Sequence, residues 1–233
     1  DIMGQSIQKH LPKGNGSEIL TDLMERSRAY LSNHDVNKVR IDLEENPANM
    51  IWLWGQGHRP KMPTFKERFN LTGAVITAVD LIKGIACYLG WDIIHVPGAT
   101  GYLDTNYVNK GQYAIKALET HDLVLIHIEA PDEAGHEGKV HEKVSAIEQV
   151  DSKIIGPILE AKNKFNDLRI LVLPDHYTPI VKRTHTPESV PFAAYGTGIE
   201  KGVGLPYSEA NAHASGLHIK EGHRLIEHLI SGS

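Results

Sequence analysis

The chain is short of cysteine, of long apolar runs and of blocks of like charge, and each shortage removes a class of protein. One cysteine, Cys87, among 233 residues leaves no disulfide framework; the chain reads as intracellular, its fold resting on its core. Cys87 lies in a helical-looking segment, where a thiol is expected to fill core space rather than to react. No apolar stretch approaches the ~20 residues of a membrane span and no signal peptide is visible, so the expected partners exclude the membrane and the expected location is cytoplasmic. No run of Lys or Arg marks a nucleic-acid face. With a net charge of −5, an anionic small substrate would need local help from a metal or an arginine. Internal repeats and low-complexity tracts are also missing.

What is present is ordinary globular composition, 41% hydrophobic and 23% charged, enough for one large domain or one domain plus a smaller part. A loop carrying Pro12, Gly14 and Gly16 leads to a helix over 17–31, with Ser17 as a cap and Ile19, Leu20, Leu23, Met24 and Tyr30 as an apolar stripe. A polar segment over 36–45 ends at Asn46-Pro47, which places a boundary after residue 47. Beyond it strands and helices alternate. Strands are expected over 49–54, 72–77, 92–96, 122–129 and 168–173; the helices between them are expected over 81–89, 106–119 and 140–159. In the longest helix Val140, Val144, Ile147, Ile154 and Ile158 should share one face. Pro191 marks 190–195 as an edge or late strand, and 220–230 should close the chain as a helix. The alternation predicts an α/β fold, a mainly parallel sheet with helices on both faces.

The residues that carry chemistry stand just past two of these strands. Pro131-Asp132-Glu133-Ala134-Gly135-His136-Glu137-Gly138 follows the Asp122–Glu129 run, and Pro174-Asp175-His176 follows the Leu168–Leu173 run, with His185-Thr186 close behind. In open α/β sheets the carboxyl edge of the strands is where ligands bind, and parallel strands can bring two such ends together. An Asp after a strand is equally a helix cap, and a lone His is more often structural than a ligand. It is the acid-plus-imidazole combination after two strands that points to metal. Asp132, His136, Asp175, His176 and His185 are too many ligands for one catalytic zinc and about right for two neighbouring divalent ions. Carboxylates and imidazoles suit manganese, zinc or iron.

Other features are weaker. Gly55-Gln-Gly-His-Arg-Pro-Lys61 is a turn with three cationic candidates, in which Arg59 could fork onto a phosphate and Lys61 supply a point charge; a solvated loop explains it equally well. Gly98-Ala-Thr-Gly101 lacks the length and the lysine of a nucleotide-binding loop, which argues against a kinase and leaves Thr100 as a turn cap. His121, His141, His213, His218, His223 and His228 have no companion acids in ligand spacing. Of Trp52 and Trp54, which alternate on the expected strand, at most one should point into a core.

The ligand motifs, together with Lys143-Val-Ser-Ala-Ile-Glu148, Asp175-His176-Tyr-Thr-Pro179 and His185-Thr-Pro-Glu-Ser-Val-Pro-Phe192, resemble those of the alkaline phosphatase superfamily. Pro97-Gly-Ala-Thr-Gly-Tyr-Leu-Asp-Thr-Asn-Tyr107 and the run from Trp54 through Gly84 are similar to the archaeal-type, cofactor-independent phosphoglycerate mutases. That resemblance implies interconversion of 3- and 2-phosphoglycerate through a phosphoserine enzyme, with two divalent ions, manganese first and zinc, magnesium or iron as alternatives. It implies that Asp132, His136 and His185 hold one ion and that Asp175 and His176 give two ligands to the other. Arg59 and Lys61 resemble a substrate-binding pair, and Arg68 stands where relatives often carry a lysine that stabilises the transferring phosphoryl group.

The resemblance further implies residues 1–47 as a remnant of an inserted substrate domain and 48–233 as the metal-binding domain. Nothing in 1–47 resembles the family's first strand, its metal-binding Asp or its Ser or Thr nucleophile. The chain is therefore expected to be a fragment, inactive alone, with the missing N-terminal segment as a partner. A phosphatase or phosphodiesterase shares the same metal core and is the rival reading; a noncatalytic metal-binding chain is the other.

Overall fold

A computed structural model describes residues 2, 4–202 and 204–232. It divides into two compact units, Asp1–Lys61 and Met62–Ser233, so the division falls at the end of the glycine-rich loop and not at the Asn46-Pro47 break.

The smaller unit holds α1 (Ser17–Leu31) and α2 (Asp35–Asp42). Gly16 enters α1 from the left-handed region, φ 82°, a conformation that suits glycine. The buried side chain of Asn37 joins the parts of this unit: its amide nitrogen donates to the carbonyls of Leu31 at 2.7 Å and Ala48 at 2.8 Å, and its oxygen accepts from the Ala48 N–H at 2.9 Å. Satisfying three backbone groups at once makes a buried amide tolerable. The strand expected over 49–54 does not form; the segment is irregular and Trp54 is 79% exposed. β-propensity without a sheet edge to pair with is not enough.

In the larger unit, α3 (Phe65–Phe69) opens with a capping box between Thr64 and Glu67. Next come β1 (Gly73–Ile76), α4 (Asp80–Leu89), β2 (Asp92–Ile93), α5 (Tyr107–Ala117), β3 (Leu123–Ile126), α6 (Ala130–Glu137) and α7 (Val140–Val150). The order is β2-β1-β3, all parallel, with Ala74 opposite both Asp92 and Val124. β1 is buried throughout, as a continuous apolar central strand should be. The chain crosses from β1 to β2 in one direction and from β2 to β3 in the other, and right-handed crossovers therefore put α4 and α5 on opposite faces.

Ile76, Val96, Tyr107, Ala114, Ala130, Ala146, Ile154 and Ile158 form the core. Cys87, expected in a core, is exposed on α4. The core face of α4 runs through Ala86 instead.

The long helix is not one helix. A π turn, Asp151–Ile155, separates α7 from α8 (Gly156–Glu160). Its extra residue rotates the helical phase. Ile154 and Ile158 are accordingly 2% and 6% exposed, whereas Val140, Val144 and Ile147 are 53%, 51% and 52% exposed. The expected five-residue face is thus split in two.

Past the π turn, β4 (Arg169–Val172) pairs antiparallel with β5 (Ala193–Gly196), Ile170 facing Tyr195. Among the described residues these two strands form a sheet of their own, so the second metal-bearing run does not join the parallel sheet. α9 (Glu209–Ala214) and α10 (Leu225–Ser231) complete the unit. No helix among the described residues is long and apolar enough to cross a membrane.

Lys110 on α5 is the largest fully buried side chain, 1% exposed, its Nζ donating to the His127 carbonyl at 3.3 Å. Burial lowers its pKa to about 8, with Glu129 pulling the other way. An unfolded lysine titrates near 10.4. Between those values the unfolded chain holds more protons than the folded one, so stability rises with pH across that window. We expect urea unfolding to show wild type gaining on Lys110→Met by on the order of 3 kcal/mol between pH 7.5 and 10.5. Parallel curves for the two proteins would show that Lys110 is not held as an unfavourable charge.

Candidate metal centre

The candidate ligands are delivered by three pieces of chain. Three residues separate the end of β3 from the start of α6, which has Pro131 in its first turn and Asp132 following. Pro is tolerated there because its missing N–H would have had no helical partner, and an acid is favoured by the helix dipole. One helical turn later His136 lies on the same side, its Nε2 3.2 Å from the Asp132 carboxylate. The His185 segment returns through an isolated antiparallel bridge between Tyr177 and Thr186, which brings His185 Nε2 to 3.4 Å from Asp132 and 3.1 Å from His136 Nε2.

Those separations, 3.1 Å between the two imidazole nitrogens and 3.2 and 3.4 Å from them to the two oxygens of Asp132, are each close to the ~3.3 Å donor–donor spacing around an ion with ~2.0–2.1 Å bonds. His136 is also turned for the task. Its Nδ1 lies 2.9 Å from the carbonyl of Arg183; a carbonyl can only accept, so Nδ1 carries the hydrogen and Nε2 presents its lone pair. These residues fit a divalent ion.

His176 lies directly beside this cluster. Its ring stacks on His185 at 3.7 Å between centroids, and one ligand atom from each of Asp132, His176 and His185 falls within 4.8 Å of the others. Asp175, mostly exposed, reaches His176 Nε2 at 3.4 Å. Among the five, Asp132 is central and Asp175 outermost.

Some groups at this edge are invisible to motif reading. Glu129, Asp132 and Glu133 also offer ligand atoms within 4.8 Å of one another. Burial raises the pKa of Glu129, and the charges of Asp132, Glu133 and Asp175 raise it further. His127, half-buried, meets Glu129 at 3.3 Å and Thr77 Oγ1 at 3.3 Å, and burial lowers its pKa. Both follow β3 in the same run as Asp132, so position at a strand's carboxyl end was the available signal.

The basic residues are placed differently. Arg68 pairs with Glu227 at 2.6 Å and lies over the Phe69 ring; these are its side-chain partners among the described residues. Arg59 and Lys61 fall at the end of the smaller unit. Thr100 does cap a turn, accepting from the Tyr102 N–H at 3.3 Å and donating to Asp104 at 2.6 Å. His121 proves to have an acid partner after all, Asp92 at 3.0 Å, and that hydrogen bond raises its pKa; the contact joins residues 29 apart in sequence.

Residues 13–230 match the family described as the metalloenzyme superfamily. The chain belongs to that superfamily. Within it, the chain is 49% identical over 233 residues to the 2,3-bisphosphoglycerate-independent phosphoglycerate mutase of Methanothrix thermoacetophila, covering all of this chain and 59% of that protein. A solved structure of a Pyrococcus horikoshii protein superposes with a TM-score of 0.80 at 28% identity, over 93% of this chain and 56% of that one. The cofactor-independent phosphoglycerate mutase of Thermoplasma acidophilum superposes with a TM-score of 0.56 at 25% identity, over 93% of this chain and 52% of that one. The chain spans little more than half the length of these relatives.

Proposed function

We propose that the protein is a metal-dependent phosphoglycerate mutase, interconverting 3- and 2-phosphoglycerate in the cytoplasm through a phosphorylated enzyme. The observation that carries this reading is the convergence of Asp132, His136 and His185, with His176 stacked beside them on His185. The 49% identity to the Methanothrix mutase supports the choice of substrate.

In this reading Asp132, His136 and His185 hold one divalent ion, and Asp175 and His176 contribute to a second. Manganese is the first choice; zinc, iron and magnesium accept the same oxygen and nitrogen donors. Two such ions supply charge neutralisation on the transferring phosphoryl group and lower the pKa of an attacking hydroxyl. Arg59 and Lys61 bind the anionic substrate. Arg68 exchanges Glu227 for the phosphoryl oxygens when substrate is present. The nucleophile and the remaining acid for the second ion come from polypeptide corresponding to the rest of the relatives' length, which is the partner this chain requires.

Phosphorus NMR of 3-phosphoglycerate incubated with manganese and the protein tests this. Little turnover is expected from the 233 residues alone, and interconversion once the remaining polypeptide is supplied in cis or in trans. Robust isomerisation by the 233 residues alone would overturn that division of labour. Release of inorganic phosphate without isomerisation would replace the mutase by a phosphatase or phosphodiesterase.

A further inference from the structure

We infer that Thr178 is a positioning residue for the metal centre: its hydroxyl ties Asp132 to His176 and fixes the His176 ring with Nδ1 protonated, leaving Nε2, which faces the Asp175 carboxylate at 3.4 Å, without a hydrogen and available to a divalent ion. This rests on the metal reading above and goes beyond its ligand set.

The inference follows from counting hydrogens. Thr178 is 4% exposed, and its Oγ1 is hydrogen-bonded to Asp132 Oδ1 and lies 3.3 Å from His176 Nδ1. A carboxylate has no hydrogen to give and a threonine hydroxyl has one. That hydrogen goes to Asp132. The contact with His176 then needs a hydrogen from Nδ1, and a neutral imidazole protonated at Nδ1 carries its lone pair on Nε2. His176 and His136 thereby reach the same tautomer by different routes, one through a threonine hydroxyl and the other through the Arg183 carbonyl.

Thr178 is itself held firmly. Lys143 on α7, half-buried, donates from Nζ to the Thr178 carbonyl at 2.7 Å. From α6, Gly135 closes the remaining side: a Cβ there would stand 2.6 Å from the Thr178 carbonyl oxygen, 2.9 Å from its Cγ2 and 3.1 Å from Lys143 Nζ. No side chain fits between helix and loop at this point. One residue therefore couples Asp132 on α6 to His176 in the 175–179 loop. Partners of this kind, one bond removed from the ion, typically contribute about 10- to 100-fold to metal affinity.

The test pairs manganese titration of the chain with long-range ¹⁵N–¹H NMR of the histidine rings. In wild type His176 is expected as the Nδ1–H tautomer; an Nε2–H ring overturns the inference whatever any variant does. Thr178→Val keeps the shape and removes the hydroxyl. It should lower manganese affinity about 10- to 100-fold and release the tautomer, while Thr178→Ser retains both. Valine that binds as wild type, or serine that behaves as valine, overturns the role of the hydroxyl. If His136→Ala and His185→Ala both bind manganese as wild type does, it is the underlying metal reading that fails.

Discussion

Replacing either His136 or His185 by alanine is expected to lower affinity for manganese or zinc by more than about 100-fold, since a direct ligand counts for more than the outer partners whose loss costs 10- to 100-fold. The two imidazoles lie 3.1 Å apart and each meets one oxygen of Asp132, at 3.2 and 3.4 Å, and removing either ring leaves this set with two residues. Asp132→Asn should be at least as damaging, because both histidines and the Thr178 hydroxyl meet at that carboxylate. Asp175→Ala should cost far less at this position, its carboxylate being exposed and, among the described residues, meeting only His176, at the ring Nε2 and the backbone N–H. Equilibrium dialysis with the purified variants measures all four. Unchanged metal content in both histidine variants would remove them from the ligand set.

The alternation of elements in the larger unit was legible because its strands are short apolar runs and its helices have clear ends. β1, α4 and α5 lie where periodicity and turn residues place them, and so does the edge character of β5, foreshadowed by Pro191. Two kinds of information were not local. The split face of α7 and α8 depends on a π turn, which no side-chain pattern in Val140–Glu160 announces, since the stripe of Val140, Val144, Ile147, Ile154 and Ile158 reads as regular. The partners that tune the centre were hidden for a different reason. Thr178 meets Asp132 across 46 residues and Lys143 meets Thr178 across 35; each is an ordinary residue until the chain brings it there. Motif reading finds ligands, whose residue types are restricted by chemistry. It does not find the neighbours that orient them, for which a hydroxyl or a carbonyl anywhere in the chain will serve. The exposed Cys87 and the irregular 49–54 segment make the same point from the other side, for there composition favoured burial and a strand, and no packing partner supplied either.

Gly111→Ala is expected to destabilise the larger unit by about 3 kcal/mol, at the upper end of what a single overpacked methyl costs. Gly111 lies on the buried face of α5, against the π turn. A Cβ there would stand 2.6 Å from the Lys153 carbonyl oxygen and 3.3 Å from the Ile154 Cα. Both are backbone atoms, so no rotamer change can make room and the helices must move apart. Moving them withdraws Ile154 and Ile158 from the core they share with Ala114 and Ile76. Alanine would otherwise favour the helix by up to about 1 kcal/mol over glycine, so the sign of the measured change decides which effect governs. Thermal melts should show a fall of roughly 6–12 °C for a unit of this size. Ile154→Ala, which leaves a cavity at the same contact, should cost a comparable 2–5 kcal/mol, and the double variant should cost less than the sum, since helices already parted by the added methyl have withdrawn the Ile154 side chain from the core. Strict additivity would mean that Gly111 and the π turn do not meet as described.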